Sequence, residues 1–453
     1  MPKVLITESY LQAIGAALRQ KLGTDILYTP SEMASAVLSI TGGSGSGAGG
    51  KSLDKEIIER TLTGAYSNNN ATKVGVYAFA ACSRLTEAKM AGAELIDDCA
   101  FLNCSRLTTV SFPVCENIRS SAFQSCSKLK LTSFPACFSI GAKAFNGCGS
   151  LSAVSFPLVE EIGEMAFASC SGLQSVSFPA CEKIRSSAFQ GCGNLRSADF
   201  SLVNSLESAV FSGCSRLSDI SFPNCELIGS YAFASCSMLQ EAVFPLCSRI
   251  NTSAFLSCSS LRQGDFPSCT SVESYAFAGC TAMSEVNLPL LSSISTYTFT
   301  RCGLLSVYLP NVDRIETGGF YNNASLSTVS FPACSYIGQS AFCSCGLISA
   351  EFPNCSFVGT SAFAYCSSLE MISLPACKNI YSYAFYSCRN LMSLYLLGST
   401  VAPMASTGVF TSTPMLLSTL TGQFGSIFVP ASLYSSYTRS TYWSSMSARF
   451  VSV

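Results

Sequence analysis

The sequence contains no histidine, so it lacks the side chain that most often serves as a general base or as a neutral metal ligand. It also contains no H-E-x-x-H or G-x-S-x-G motif. Its many serines stand between apolar repeat positions, where they fill turns and the surface. This inventory predicts a protein that is not an enzyme and that has no cofactor or metal site.

Charged residues are also scarce, at 12% of the chain, and they sum to a net charge of −1. Such a chain has no global field to attract nucleic acid or an anionic membrane. No apolar run approaches the roughly 18 residues of a membrane-spanning helix, so we expect no membrane insertion. Residues 1–8 lack the apolar region of a secretory signal. We therefore expect either that a signal was removed or that the protein leaves the cell by another route.

What the chain does contain is a phenylalanine that recurs every 22 residues. It stands, with two steps shortened to 21, at Phe79, Phe101, Phe123, Phe145, Phe167, Phe189, Phe211, Phe233, Phe255, Phe277, Phe299, Phe320, Phe342, Phe363 and Phe385. One short unit cannot bury an apolar face alone, whereas stacked copies bury each other's faces. These 15 copies therefore predict a repeat solenoid of about 15 rungs, an architecture suited to extended recognition surfaces.

The full unit reads L-x-x-V-x-F-P-x-C-x-x-I-x-x-x-A-F-x-x-C-x-x. Its L-x-x-V-x-F part, with Val154 and Phe156 as an example, alternates apolar and polar residues and predicts a short strand with one buried face. The following proline ends the strand because it has no N–H to donate. Equivalent strands should pair in parallel, about 4.8 Å apart. The I-x-x-x-A-F-x-x-C part is too short and serine-rich for a helix, so we expect turns, 3₁₀ or extended pieces there.

Of the 25 cysteines, 23 belong to two repeat columns of 14 and 9 residues, and only Cys99 and Cys343 lie outside them. Zinc-type C-x-x-C spacing is absent. Thiols stacked one rung apart point the same way and give poor disulfide torsions. We therefore predict that both columns are buried, reduced and structural.

The repeat resembles the BspA-like leucine-rich-repeat family, which carries the same Leu, Ile/Val-x-Ile/Phe-Pro, Ile-Gly and Ala-Phe-x-x-Cys elements. The segment from Ile228 to Cys236 is a close match, and the resemblance covers about residues 74–396. It implies a curved right-handed solenoid with a leucine-rich-repeat-like parallel β-sheet. Such proteins serve in adhesion or binding, but the resemblance implies no particular ligand.

The N-terminal segment predicts a small helical module. Thr7 can cap a first helix that Gly23 stops, and the capping box Thr29-Pro30-Ser31-Glu32 opens a second. Two helices this short bury little alone, so we expect them to attach to a partner or to self-associate. The predicted organisation is a helical attachment or oligomerisation module at residues 1–41, a Gly/Ser linker at 42–52, the solenoid at 53–396 and an irregular C-terminal cap at 397–453.

The linker also satisfies the P-loop pattern from Gly45 to Ser52. A nucleotide site needs a multi-stranded α/β domain around that loop, which neither neighbour can supply. We therefore interpret it as a flexible linker. In the cap, Ile427-Phe428-Val429 predicts a last strand, and a short tyrosine-rich helix is expected to follow near Tyr434 and Tyr437.

The stretch from Ile6 to Gly23, followed by Tyr28 to Ala34, is similar to a leader on tail-associated proteins of bacteriophages and prophages of gut Gram-positive bacteria. Proteins of that group also tend to end with a V-P-A-S-L-Y piece, which stands here from Val429 to Tyr434. The resemblance implies that residues 1–41 bind phage tail or baseplate proteins. It also implies a location in the virion tail after synthesis in the host cytoplasm.

Acidic residues form a first candidate binding site, at solvent-facing positions beside the buried strand valine. They replace the usual Ser or Thr at Asp199, Asp219, Glu241, Asp265 and Glu285. A solvated face that blocks sheet aggregation would account for them. The alternative is a ligand or Ca²⁺ patch, because Asp219 and Glu241 would stand one rung apart.

Tyrosines form a second candidate site. Two lie on the predicted sheet face and three in the last repeats, namely Tyr308 and Tyr395, and Tyr365, Tyr383 and Tyr386. Tyrosine offers amphipathic contact area at low entropic cost. Half-buried packing between rungs is the alternative interpretation.

Together these patterns predict a non-enzymatic binding protein. The first hypothesis is a phage tail-associated or host-receptor-binding protein that recognises a cell-surface glycan or protein. The second is a bacterial surface or secreted BspA-like adhesin, and the third is a purely structural virion subunit. A homo-oligomer is compatible with each hypothesis.

Overall fold

The computed structural model describes residues 60–416 and 424–453. The predicted helical module, the linker and the P-loop-like stretch from Gly45 to Ser52 lie outside the described residues. The chain divides into two compact units, the first ending at Phe200 and the second running from Ser201 to Val453.

Both units are parallel β-solenoids in which each turn carries one longer strand and one two-residue strand, here called the front strand and the back strand. The front strands of the first unit are Thr63–Ser67, Arg84–Lys89, Thr109–Ser111, Leu131–Ser133, Ala153–Ser155, Ser175–Ser177 and Ser197–Asp199. Those of the second unit are Asp219–Ser221, Glu241–Val243, Gln263–Asp265, Glu285–Asn287, Ser306–Tyr308, Thr328–Ser330, Ser349–Glu351, Met371–Ser373 and Ser393–Tyr395. The predicted fold class is confirmed, and the 15 predicted rungs are the front strands from Arg84–Lys89 onward.

The back strands carry the isoleucine column of the repeat. In the first unit they are Lys73–Val74, Leu95–Ile96, Asn117–Ile118, Ser139–Ile140, Glu161–Ile162 and Lys183–Ile184. In the second unit they are Ser205–Leu206, Leu227–Ile228, Arg249–Ile250, Ser271–Val272, Ser293–Ile294, Arg314–Ile315, Tyr336–Ile337, Phe357–Val358 and Asn379–Ile380. Equivalent residues pair in parallel, as Ile162 does with Ile184, so each apolar column stays in register.

The Ala-Phe segment forms tight turns, as expected, and two residues of each turn adopt left-handed backbone angles. Around Phe255 these are Ser253, with φ of 57°, and Ser257, with φ of 60°. A residue with a Cβ in this region costs roughly 1–2 kcal/mol. Backbone hydrogen bonds to the next turn offset that cost, because Ser253 N–H donates to Ser274 and Ser257 N–H donates to Ala278.

Stacked phenylalanines fill the core. Phe145 and Phe167 lie 5.2 Å apart and nearly parallel, and the strand residue Phe156 meets Phe145 edge-on at 5.8 Å. Both columns are fully buried. Offset stacking and edge-to-face contact are the favoured geometries for aromatic pairs, so each turn positions the ring of the next.

Cysteines of the first column are buried, as predicted, but they are not merely apolar. Most of these thiols donate to the carbonyl of a core phenylalanine in the preceding turn, as Cys258 does to Phe233 at 3.0 Å and Cys280 to Phe255 at 3.2 Å. Where Asn323 interrupts the column, its Nδ2 takes the same acceptor, Phe299 O, at 2.7 Å. Burial raises the pKa of the Cys258 thiol to about 12, so the thiols stay protonated donors.

The C-terminal segment continues and then closes the second unit. Its elements are a 3₁₀ helix at Thr407–Phe410, a strand at Ser426–Val429, a 3₁₀ helix at Ala431–Leu433, an α-helix at Tyr434–Arg439, a 3₁₀ helix at Trp443–Arg449 and a strand at Phe450–Ser452. The predicted strand and short helix are confirmed. The strand Phe450–Ser452 was not predicted, and it pairs with Ser426–Val429 at the end of the sheet.

Candidate binding surface

The predicted acidic residues lie on the front strands but not in one row. In the second unit Glu241 and Glu285 are separated by Gln263, which pairs with both. Asp265 belongs to a neighbouring column, opposite Val243 and Asn287, and Asp199 lies in the first unit. Asp219 lies in a strand that is not in the same sheet as the strand of Glu241. In the sheet that contains Glu241, the acids of this column thus alternate with a neutral residue, Gln263.

One of these acids is hydrogen-bonded to a neighbouring strand. Asn287 donates from Nδ2 to the Asp265 carboxylate at 2.7 Å, which satisfies one oxygen within the sheet itself. Within residues 60–416 and 424–453, no group of three or more His, Cys, Asp or Glu side chains is placed to hold a metal ion. The geometry brings together no Ca²⁺ ligand set in that part of the chain.

Three of the predicted tyrosines meet in one cluster. Tyr386 contacts Tyr365 edge-on at 5.3 Å and Tyr383 edge-on at 5.8 Å. Tyr365 and Tyr383 are 54% and 50% exposed. Both have φ of 60°, in the left-handed positions that serine fills in several other turns. The fold therefore does not require tyrosine at either position.

A second group of aromatic residues lies on and directly after the neighbouring back strands, and the sequence reasoning did not single out Tyr336 or Phe357 within it. Tyr336 stacks on Phe357 at 4.6 Å, and Phe357 contacts Tyr381 at 4.7 Å. The Arg314 guanidinium lies 4.0 Å from the Tyr336 ring centroid, as in cation–π pairs. One sequence feature could have predicted this group. The first position of the back strand is aromatic in two successive turns, at Tyr336 and Phe357.

These two groups adjoin, because Tyr381 lies two residues before Tyr383. We call them together the aromatic surface, consisting of Tyr336, Phe357, Tyr365, Tyr381, Tyr383 and Tyr386. Its rings combine apolar faces with hydroxyl groups that can donate and accept hydrogen bonds. This arrangement can bind an extended partner and offers no group for covalent chemistry.

The two remaining predicted tyrosines lie elsewhere. Tyr308 is 69% exposed on its front strand, opposite Ser330, and it stands apart from the aromatic surface. Tyr395 is half-buried and stacks on Phe428 of the terminal strand at 4.4 Å. Tyr395 therefore helps to dock that strand, which matches the packing alternative.

These features define a leucine-rich-repeat solenoid with an exposed aromatic surface. The sequence profile of BspA type leucine rich repeat regions matches residues 59–157, 138–262, 248–370 and 335–403. The chain therefore belongs to this BspA-type leucine-rich-repeat family. Its members are typically cell-surface proteins, and its fold is typically a non-enzymatic scaffold for binding or adhesion.

The chain is also similar to solved leucine-rich repeat structures. A leucine-rich repeat protein from Bacteroides ovatus is 25% identical, with 72% of this chain and 82% of that chain covered and a TM-score of 0.54. A leucine rich cell surface protein from Faecalibacterium prausnitzii is 21% identical over 74% and 86% of the two chains, with a TM-score of 0.39. No curated protein matches the chain. No helix of the described residues is long and apolar enough to span a bilayer.

Proposed function

We propose that the chain is an adhesion protein that recognises a cell-surface glycan or protein through the aromatic surface. The observation that carries this proposal is the exposure of Tyr365 and Tyr383 at positions where the fold needs only serine. A half-exposed tyrosine gives the fold little, yet it provides rigid contact area with two side-chain torsions to order. Several such rings in adjoining turns give a partner a contiguous contact.

The aromatic surface suits both partner classes. Tyrosine faces pack against the C–H groups of a sugar ring or against apolar side chains of a protein, and the hydroxyls satisfy polar groups at the rim. Binding energy in such interfaces is concentrated in a few aromatic residues. Loss of two central tyrosines should therefore remove most of the affinity.

The test is the double variant Tyr365→Ser, Tyr383→Ser in the full chain. Serine already occupies the equivalent left-handed positions at Ser235 and Ser340, so thermal stability should change little. We expect binding of the labelled protein to whole cells, measured by flow cytometry, to fall at least tenfold. The matched control is Tyr231→Ser, which removes a 46% exposed tyrosine outside the aromatic surface. Equal binding by the double variant, the control and the wild type would refute the role of this surface.

More specifically, we propose that the protein is part of a bacteriophage tail and that residues 1–41 attach it to tail or baseplate proteins. The support is the resemblance of the leader and of the V-P-A-S-L-Y segment to phage tail-associated proteins. The alternative is a bacterial cell-surface adhesin, which the family membership favours. Binding to gut Gram-positive bacteria, and loss of attachment to purified tails on deletion of residues 1–41, supports the tail assignment. Binding to animal cells without binding to bacteria supports the alternative.

A further inference from the structure

Exposed cations occupy the same repeat position in three successive turns of the first unit. Arg84, Arg106 and Lys128 each stand two residues after a cysteine of the first column, and all three are exposed. Lys130, two residues further on in the last of these turns, is exposed as well. We call these four residues the basic row. In the following turn the position of Lys128 is taken by Ser150, so the repeat itself does not require a cation there.

Hydrogen bonds between turns hold the basic row in register. Just before the cations, the Ser127 hydroxyl donates to Ser105 O at 3.4 Å. Just after them, Thr108 N–H donates to Thr86 O at 2.9 Å, and Lys130 N–H donates to Thr108 O at 3.2 Å. The backbone on both sides of each cation is therefore tied to the neighbouring turn. Successive cations thus stand one rung apart, about 4.8 Å along the stack of turns.

The positive charge of the basic row is not neutralised within the described ranges. None of its four side chains makes an ion pair or a hydrogen bond there. In the segments that contain and flank the row, residues 80–89, 102–111 and 124–133, the single acid is Glu87. Its carboxylate already binds Lys89 Nζ at 2.6 Å. Like charges on neighbouring strands repel each other, so anionic groups bound along the row would relieve this repulsion.

The surroundings of the basic row narrow the class of anion. Single-stranded nucleic acid is held by aromatic side chains on which its bases stack, and a membrane surface is bound by cations together with inserted apolar side chains. The three segments contain no aromatic residue. Exposed neighbours of the row, such as Ser83, Asn103 and Ser105, are small or polar. A polymer with anionic groups but without bases or acyl chains fits both observations.

We infer that the basic row binds a linear cell-surface polymer of phosphodiester-linked polyol or sugar units, with successive phosphates on successive turns. Arginine binds phosphate oxygens through two parallel hydrogen bonds, and lysine binds them as a point charge on a flexible stem. The long side chains adjust to a phosphate spacing wider than one rung. This site goes beyond the aromatic surface, all of whose residues lie in the second unit.

The test is titration calorimetry of the full chain with a synthetic glycerol phosphate oligomer at several salt concentrations. Binding should weaken with salt, and four phosphate contacts predict a slope of log K against log salt of about −3. The triple variant Arg84→Gln, Arg106→Gln, Lys128→Gln should bind at least tenfold more weakly and lose about two units of that slope. Its melting temperature should not fall, because the three side chains are exposed and make no hydrogen bond or ion pair.

The matched control removes the same net charge elsewhere. Arg216→Gln, Arg262→Gln, Arg301→Gln replaces three exposed arginines of the second unit, of which Arg216 occupies the same repeat position as Arg84. This control should bind the oligomer as the wild type does. If the oligomer does not bind at low salt, or if the two triple variants lose the same affinity, the inference is wrong.

Two further probes separate the possible sources of phosphate. Oligo(dT) carries phosphodiesters with bases, and phosphatidylglycerol vesicles carry phosphates on a membrane surface. Per phosphate, each should bind the wild type at least tenfold more weakly than the glycerol phosphate oligomer does. Equal or tighter binding of either probe would assign the basic row to nucleic acid or to membranes and overturn the inference.

Discussion

At the residue scale, the cysteine columns serve as hydrogen-bond donors as well as core packing. The thiol is small and buried, and it reaches the carbonyl of the preceding turn, as Cys302 reaches Phe277 at 3.1 Å. Sequence reasoning captured the burial of these residues, because the columns follow the apolar register. It missed the donor role, because nothing in a one-letter column shows which carbonyl a side chain will meet.

Asn323 tests this role directly. Its Nδ2 donates to Phe299 O and Phe320 O, both at 2.7 Å, while its Oδ1 is buried without a hydrogen-bond partner. Asn323→Ala should lower the free energy of unfolding by about 1–3 kcal/mol, because it leaves buried carbonyls unpaired. Asn323→Cys should cost less than about 1 kcal/mol, since a thiol restores one bond and removes the unpaired oxygen.

Urea unfolding of the two Asn323 variants measures the difference. Asn322→Ser is the control, because serine occupies the same left-handed position at Ser344, and it should leave the midpoint unchanged. If the alanine and cysteine variants have the same midpoint, the side-chain bonds at this position contribute nothing measurable.

At the element scale, the front strands of the repeat were predictable, whereas the left-handed backbone of the turns was not. The V-x-F alternation and the following proline correctly predict the front strand Ala153–Ser155. The reason is that the alternation of inward and outward side chains along a strand appears in the sequence as alternating apolar and polar residues. The left-handed turn positions hold Ser and Tyr more often than glycine, so the usual glycine signal is missing. Hydrogen bonds between turns impose that backbone, and a single repeat considered alone cannot show them.

The candidate sites were likewise predictable from the sequence only in part. The sequence placed Tyr365, Tyr383 and Tyr386 in the last repeats, and the structure adds that the Tyr386 ring contacts the other two. The separation of the acids into two columns required the strand register.

The C-terminal elements end the second unit through one buried tryptophan. Trp443 is fully buried, contacts Phe410 at 5.8 Å, and donates from Nε1 to Ala402 O at 2.7 Å. Trp443→Ala should therefore cost about 3–5 kcal/mol. Because each turn contacts only its neighbours, the loss should be local.

Hydrogen exchange resolves where Trp443→Ala acts. Protection should fall in Ser393–Tyr395 and Ser426–Val429, while Glu241–Val243 in the same unit keeps its protection. Tyr434→Ala, at an exposed site in the same segment, should change little. Equal loss across the whole second unit would show that it unfolds cooperatively and not from its end.

At the scale of the whole molecule, buried thiols with a raised pKa occur in both units. Burial raises the thiol pKa from its ordinary value of 9.0 to about 12 at Cys115, Cys148 and Cys181 in the first unit. It does the same at Cys225, Cys258 and Cys366 in the second unit. Both cysteine columns therefore contribute thiols of raised pKa in each of the two units.

That property predicts alkaline unfolding. Below pH 9 the thiols are protonated in both states, so their contribution to stability is fully present. Above pH 9 unfolded thiols lose protons while folded ones keep them, so stability falls until the pH passes the folded value near 12. Each such thiol contributes about 1.4 kcal/mol per pH unit in this window.

With many thiols acting together, the urea midpoint should be nearly constant from pH 7 to 8.5 and collapse before pH 11. The variant Cys258→Val removes one thiol, so the free energy of unfolding should decrease less steeply with pH, by the contribution of one thiol. The neighbouring variant Ser259→Ala should leave that slope unchanged. A midpoint that stays constant through pH 10.5 would mean that the buried thiols do not govern the alkaline limit.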